Sequence, residues 1–202
     1  MKKPRIVLIG GGGHCKSCID VIELEAKYEI AGIVDIKEKL RQSVLGYKIF
    51  ATDDDLPNLA KEYQYFFITL GQIESPEKRI SLFNDLKGLG GKLPVIISPF
   101  AYVSKHAEIG DGTIIMHHAL INAGARIGSN CIINTTALIE HDVTIEDHCH
   151  IATGAVINGG VKVGSGTFFG SGAVCREYIE VGENVIIGCG AKISKNILTI
   201  NK

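Results

Sequence analysis

The sequence predicts an α/β, Rossmann-like domain over residues 1–96 followed by a parallel β-helix of hexapeptide repeats over residues 97–202. Two observations carry the second half. Every sixth residue is aliphatic or nearly so, from Ile97, Val103, Ile109 and Ile115 through to Val181, Ile187 and Ile193. Four residues after each comes a small or β-branched one, Ala101, Ala107 and Thr113 through to Ala191 and Ile197. A period of six without a slip is that of a triangular coil in which each repeat is one side and the large aliphatic fills the prism. Neither a 3.6-residue period nor plain alternation produces it. In the first half, short apolar runs alternate with helical segments, which implies a parallel sheet with right-handed crossovers.

Taken in order, Arg5–Gly10 reads as a buried strand ending in four glycines, and residues 14–27 as an amphipathic helix. Ile30–Asp35 is a second strand ending in an acid, and Tyr47–Ala51 a short third one. Asp53–Tyr63 is a helix with acids in its first turn. Tyr65–Leu70 is a buried strand, and Ser75-Pro76 opens a helix with Ser as cap and Pro in the first turn. Gly90-Gly91 closes that helix, Leu93–Ile97 is a last strand of the sheet, and Ser98-Pro99 is the junction to the repeats. Because the register never slips, no long loop leaves the prism. An active site there must be built from coil side chains, with or without a neighbouring chain.

Composition removes some classes of function. A formal net charge of -1 gives no bias toward nucleic acid or an anionic membrane. The apolar runs are too short to span a bilayer, and the glycines after MKKPRIVLI argue against a signal peptide. Six cysteines fit reduced thiols in the cytoplasm. Cys15 and Cys18 form a lone C-x-x-C with no second pair to complete a zinc site.

The loop Gly10-Gly11-Gly12-Gly13-His14 joins a strand to a helix, where backbone N–H groups and the helix N-terminus favour a phosphate. Asp35 ends the next strand, where an acid often takes a ribose or base. Cys15 fills the last glycine place of G-x-G-x-x-G. The domain is small for a dinucleotide, so a mononucleotide or nucleotide-sugar fits it better. A tight structural turn is the other reading.

With three repeats per coil, residues 18 apart stack at roughly a strand spacing of ~4.8 Å. One column then reads Met116, Asn134, Ala152, Gly170, Gly188, and its neighbour His118, Thr136, Gly154, Gly172, Gly190. The upper part of that strip is bare backbone, suited to a long thin ligand such as pantetheine, unless the glycines only turn corners. His141 lies on the next side between Ala123 below and Gly159 above, with Glu140 and Asp142 beside it, either of which can hold its tautomer. A surface histidine is the plainer alternative.

These motifs resemble those of the bacterial nucleotide-sugar acetyltransferases of the bacillosamine and perosamine type, relatives of the sialic-acid O-acetyltransferases. The shared pattern is an opening G-x-x-G-H, here Gly10–His14, and N-x-x-x-x-I/V-E-H-D/E, here Asn134–Asp142. The resemblance implies a left-handed β-helix and a homotrimer with acetyl-CoA between adjacent prisms. It implies His141 as general base, Asp142 as its partner and Asn134 near the acceptor. It places His150 and Gly159 on acetyl-CoA, in addition to Gly154, Gly170, Gly172, Gly188 and Gly190, which the column reading already offers to that ligand. It places Gly10, Gly12, Gly13, His14, Asp35, Lys37 and Gly71 on the nucleotide-sugar, with no metal. Asp142 stands where some members carry the longer Glu, and with the tail Thr199–Lys202 the cap on CoA is expected to be shorter or supplied otherwise. The expected reaction is N-acetylation of a nucleotide-linked amino sugar of the 4-amino-4,6-dideoxy type. The alternatives are O-acetylation of a sialic-acid-type sugar, a β-helix zinc carbonic anhydrase and a non-catalytic nucleotide-binding scaffold. No two of His106, His117, His118, His141, His148 and His150 differ by a multiple of 18, so none stack within a chain, which weakens the zinc reading.

Overall fold

The computed structural model describes residues 3–198. The expectation for the tail Thr199–Lys202 lies outside the described residues. The first half runs β1 (Arg5–Ile9), α1 (Gly13–Glu25), β2 (Glu29–Val34), β3 (Ser43–Val44), β4 (Tyr47–Ala51), α2 (Leu56–Glu62), β5 (Tyr65–Ile68) and α3 (Glu77–Gly88). Its sheet has the order β3-β4-β2-β1-β5, parallel except for the β3–β4 hairpin.

Local chemistry moves several expected boundaries. α1 ends one residue before Ala26, which adopts φ 57 and donates its N–H back to the Ile22 carbonyl. Asp53–Asp55 form a 3₁₀ turn rather than the start of α2, because Asp55 reaches back to the Thr52 N–H at 2.8 Å. Ser75 accepts the Glu77 N–H at 3.2 Å, so the cap is present but α3 begins after Pro76.

The largest correction concerns Leu93–Ile97. It is not a strand of the α/β sheet. Only Ile96–Ile97 is extended (β6), and it pairs with Ile114–Ile115 as the lowest rung of the prism. Lys92 makes a single bridge to Tyr65 before the chain leaves. The short antiparallel β3 takes the remaining place in the sheet.

The second half stacks two-residue strands into three parallel sheets of six, six and five strands. Each strand pairs with the one 18 residues on, as in Leu120↔Leu138 and Ile121↔Ile139. The second residue of each strand points inward: Ile121, Ile139 and Ile157 are all fully buried. Cys131 and Cys149 hold small-residue positions inside the prism, and both are free thiols.

The first residue of each strand points outward and gives each face its character. The first face carries Ile96, Ile114 and Ile132, which pack with Met116 against Cys15, Cys18, Ile19 and Ile22 of α1. The α/β domain therefore sits on this face. The third face presents Glu108, Arg126, Thr144, Lys162 and Glu180 and suits water. The second face presents Tyr102, Leu120, Leu138, Val156 and Val174, with Lys192 on its last rung and Tyr102 60% exposed, and nothing among the described residues covers it.

Candidate active site

The glycine loop is held from below. Asp35, buried at the end of β2, accepts the Gly11 N–H at 2.6 Å, the Ile36 N–H at 2.7 Å and Lys39 Nζ at 2.9 Å. Burial alone would raise its carboxyl pKa, but the Lys39 bond and the two N–H groups outweigh that and lower it. Asp35 thus clamps the loop, and its ion partner is Lys39. Lys37, the residue expected from sequence, is exposed. Thr69 fixes the other flank by donating to the Ile9 and Gly10 carbonyls. Gly10 sits at φ 106, where a side chain would also meet Leu70. Gly12 and Gly13 border open space at the start of α1, and no acidic side chain occupies its first turn. That end can receive an anion.

His14 and Gly71 lie together beside the loop, with 3.7 Å from a Cβ built on Gly71 to the Cβ of His14. The His14 ring turns inward to within 6.5 Å of the His150 ring, and its Nε2 has no partner among the described residues. Burial, followed by the charge of Arg79 and by His150, lowers its pKa to about 3.

His150, expected from the resemblance to meet CoA, is bonded within the chain on both ring nitrogens. It is buried under the α/β domain, bonded through Nδ1 to the Gln72 carbonyl at 2.6 Å and through Nε2 to Asn134 Nδ2 at 3.1 Å. The carbonyl requires a proton on Nδ1, so Nε2 accepts from the carboxamide. His150 therefore orients Asn134. Burial, reinforced by Arg79 against the opposing Gln72 bond, lowers its pKa to about 4.

A folded-state pKa of about 4 against 6.5 unfolded means the unfolded chain binds more protons between those values. Stability is therefore full above pH 6.5 and falls as pH drops toward 4, by ~3 kcal/mol from this residue. Urea midpoints measured at pH 7 and pH 4.5 should show the loss, and a His150→Gln variant should show less of it. An equal slope in the variant would mean that His150 does not carry the effect.

His141 stands at the corner between the second and third faces, 52% exposed. Its Nδ1 lies 3.0 Å from Asp142 Oδ2. Asp142 turns the corner at φ 60, a conformation its short polar side chain tolerates. Glu140 is engaged elsewhere, accepting Asn122 Nδ2 at 2.9 Å and the His141 N–H at 3.3 Å. With Nδ1 protonated toward Asp142, Nε2 is the free basic nitrogen. A Cβ on Gly159 would stand 2.7 Å from that Nε2. Gly159 thus makes room for the imidazole.

The opposite corner, between the first and second faces, holds Asn134 and the glycine columns. Gly172, Gly188 and Gly190 are exposed, and a Cβ on any of them meets nothing within 4 Å. Gly154 is half-buried near Thr136. Gly170 is different: a Cβ there would strike the Ile187 carbonyl and the Cys189 N, so the coil above requires it. The open backbone is at Gly172, Gly188 and Gly190.

The structure divides the expected residues into two sets. His14, Gly71, Asn134 and His150 gather at one edge of the second face, and His141 with Asp142 and Gly159 at the other. Strand Leu138–Ile139 lies between, and a six-residue side spans up to ~20 Å. Among the described residues no group of three His, Cys, Asp or Glu could hold a metal ion. No helix of the described residues is long and apolar enough to cross a membrane.

Residues 5–86 match the family model of the PglD N-terminal domain. Residues 124–159 and 143–177 match the bacterial transferase hexapeptide repeat. A histidine-to-asparagine variant of perosamine N-acetyltransferase from Caulobacter crescentus, solved with CoA and GDP-perosamine, is 31% identical over 95% of this chain and 89% of that one, with TM-score 0.89. The chain belongs to the bacterial nucleotide-sugar acetyltransferases. A second of these acetyltransferases, the acetyltransferase domain of PglB from Neisseria gonorrhoeae in complex with acetyl coenzyme A, is 31% identical over 97% of this chain and 93% of that one, with TM-score 0.88. WeeI from Acinetobacter baumannii shares the fold at 19% identity and TM-score 0.86, covering 98% of this chain and 94% of that one. No curated protein sequence matches the chain. The fold and the family expected from the motifs are those found, and this nucleotide-sugar acetyltransferase is an acyltransferase by kinship and by architecture.

Proposed function

We propose that this acetyltransferase moves the acetyl group of acetyl-CoA to the amino group of a nucleotide-linked 4-amino-4,6-dideoxy sugar. It acts as a homotrimer in the cytoplasm, in the making of a surface glycan or glycoprotein. The observation that carries the reading is the uncovered apolar second face, edged on one side by His141 and on the other by the open glycine strip. Three copies packed on this face about a threefold axis bury it and bring the His141 corner of one chain against the strip of the next. The site is completed by the assembly.

In that site the loop Gly10–Gly13 takes the diphosphate, and His14, Gly71 and Asn134 line the sugar. The strip Gly172, Gly188 and Gly190 takes the pantetheine arm of acetyl-CoA. The amine nitrogen attacks the thioester carbon, a C–N bond forms, and the C–S bond breaks. His141 Nε2 receives the amine proton, which leaves with the thiolate as thiol. Asp142 holds the imidazole and balances its charge, worth ~10²–10⁴-fold together with proton transfer. Relatives solved with CoA and GDP-perosamine support the pairing of substrates. Free, mostly buried thiols support the cytoplasm.

Incubation of the protein with acetyl-CoA and UDP-, GDP- or dTDP-linked 4-amino sugars, following thiol release, tests the reading. Turnover is expected with at least one of them. No turnover with any, or equal turnover with a sugar lacking the amine, would sink it.

A further inference from the structure

Arg79 lies on α3 and is 2% exposed, the largest side chain sealed inside the protein. Its guanidinium faces no carboxylate among the ion pairs of the described residues. A buried charge without a counter-ion is costly, and an apolar side chain of the same volume would make a better core. Its retention calls for a reason beyond packing.

The bonds of Arg79 supply that reason. Nη1 donates to the Leu70 carbonyl at 2.7 Å, on the loop that follows β5. Nη2 donates to the Asn130 carbonyl at 2.7 Å and to its Oδ1 at 2.8 Å, both on the prism. Asn130, at φ 54, returns a bond from Nδ2 to the Arg79 carbonyl at 3.2 Å. Two residues on, Gln72 is tied to the same prism, its carbonyl to His150 and its Nε2 to the Gly166 carbonyl at 3.1 Å. Between these ties stands Gly71, exposed beside His14.

We propose that Arg79 is a positioning residue for the nucleotide-sugar subsite: it fixes the loop Leu70–Gln72 to the prism and so sets Gly71 and His14 against Asn134. It touches no substrate. The inference rests on the reading of the site given above. The charge of Arg79 also helps to keep His14 neutral, so that its imidazole meets the sugar as a hydrogen-bonding group.

The test uses full-length Arg79→Met, Arg79→Lys and Asn130→Gly. Glycine keeps the left-handed corner while removing the side-chain partner of Arg79. With a nucleotide amino sugar that the unaltered protein acetylates, Arg79→Met should raise the KM for that sugar about tenfold or more, with acetyl-CoA KM within about twofold. Arg79→Lys should fall between, and Asn130→Gly should shift the same KM by less. Hydrogen exchange at 70–72 should quicken relative to β1, whereas a residue that only supports the core would quicken both. Folded variants with both KM values unchanged, or both raised alike, would overturn the proposal. If Arg79→Met does not fold, Asn130→Gly decides. If the unaltered protein acetylates no amino sugar, the functional reading fails, and exchange at 70–72 still decides the role of Arg79: selective quickening upholds it and uniform quickening ends it.

Discussion

Replacing His141 with alanine is expected to lower kcat by ~10²-fold or more while both substrates still bind. The geometry argues for a loss in the chemical step. His141 is not a packing residue: about half of its side chain is exposed, and its ring is bordered by Gly159, which leaves it space. Its one side-chain bond, to Asp142, is the bond that sets Nε2 free. Removing the ring takes away a proton acceptor and little else, so folding and oligomeric state should survive. Asp142→Asn should lose less, since the imidazole remains and only its orientation and charge balance suffer. Steady-state kinetics with calorimetric binding of each substrate separates the effects. A folded His141→Ala enzyme with near-normal kcat would remove His141 from the mechanism.

The second large effect is a gain. His141→Ala and Gly190→Trp should each be nearly inactive alone, the first for want of a base and the second because an indole fills the strip. Co-expressed, they should recover turnover at about a quarter of the sites if chains assort at random in trimers. Recovery requires that the His141 corner of one chain meet the strip of another, as packing on the second face dictates. If each chain instead held a complete site, every chain in the mixture would carry a defect and activity would stay at the background. That result would also leave the apolar ladder Tyr102–Leu120–Leu138 without an explanation.

The prism was legible residue by residue because its period is geometric: a slip by one position would turn Ile121, Ile139 and Ile157 to solvent. The geometry of the His141 corner was legible because it is local, with imidazole, carboxylate and space-giving glycine fixed by sequence neighbours and a spacing of 18. The seam between domains was not. Arg79–Asn130 and Gln72–His150 join residues 51 and 78 positions apart, and no period or motif relates them. The burial of His150 was not legible for this reason: it lies on an outward position of the prism, and only the docked α/β domain turns that surface into an interior. Likewise Leu93–Ile97 has the composition of a sheet strand, but its first partner is the next rung of the prism.

The unbroken register of the coils has a consequence for how such a chain can change length. An insertion or deletion of any size other than a multiple of six would turn the inward aliphatics outward. One of six would keep the core but rotate every later corner by one face, parting the glycine columns from Asn134. Only a whole coil of 18 residues leaves both intact, and it would lengthen the glycine strip by ~4.8 Å, one rung. Growth of this half is therefore quantised, and the length of the glycine strip can be altered in steps without disturbing the corner where His141 stands.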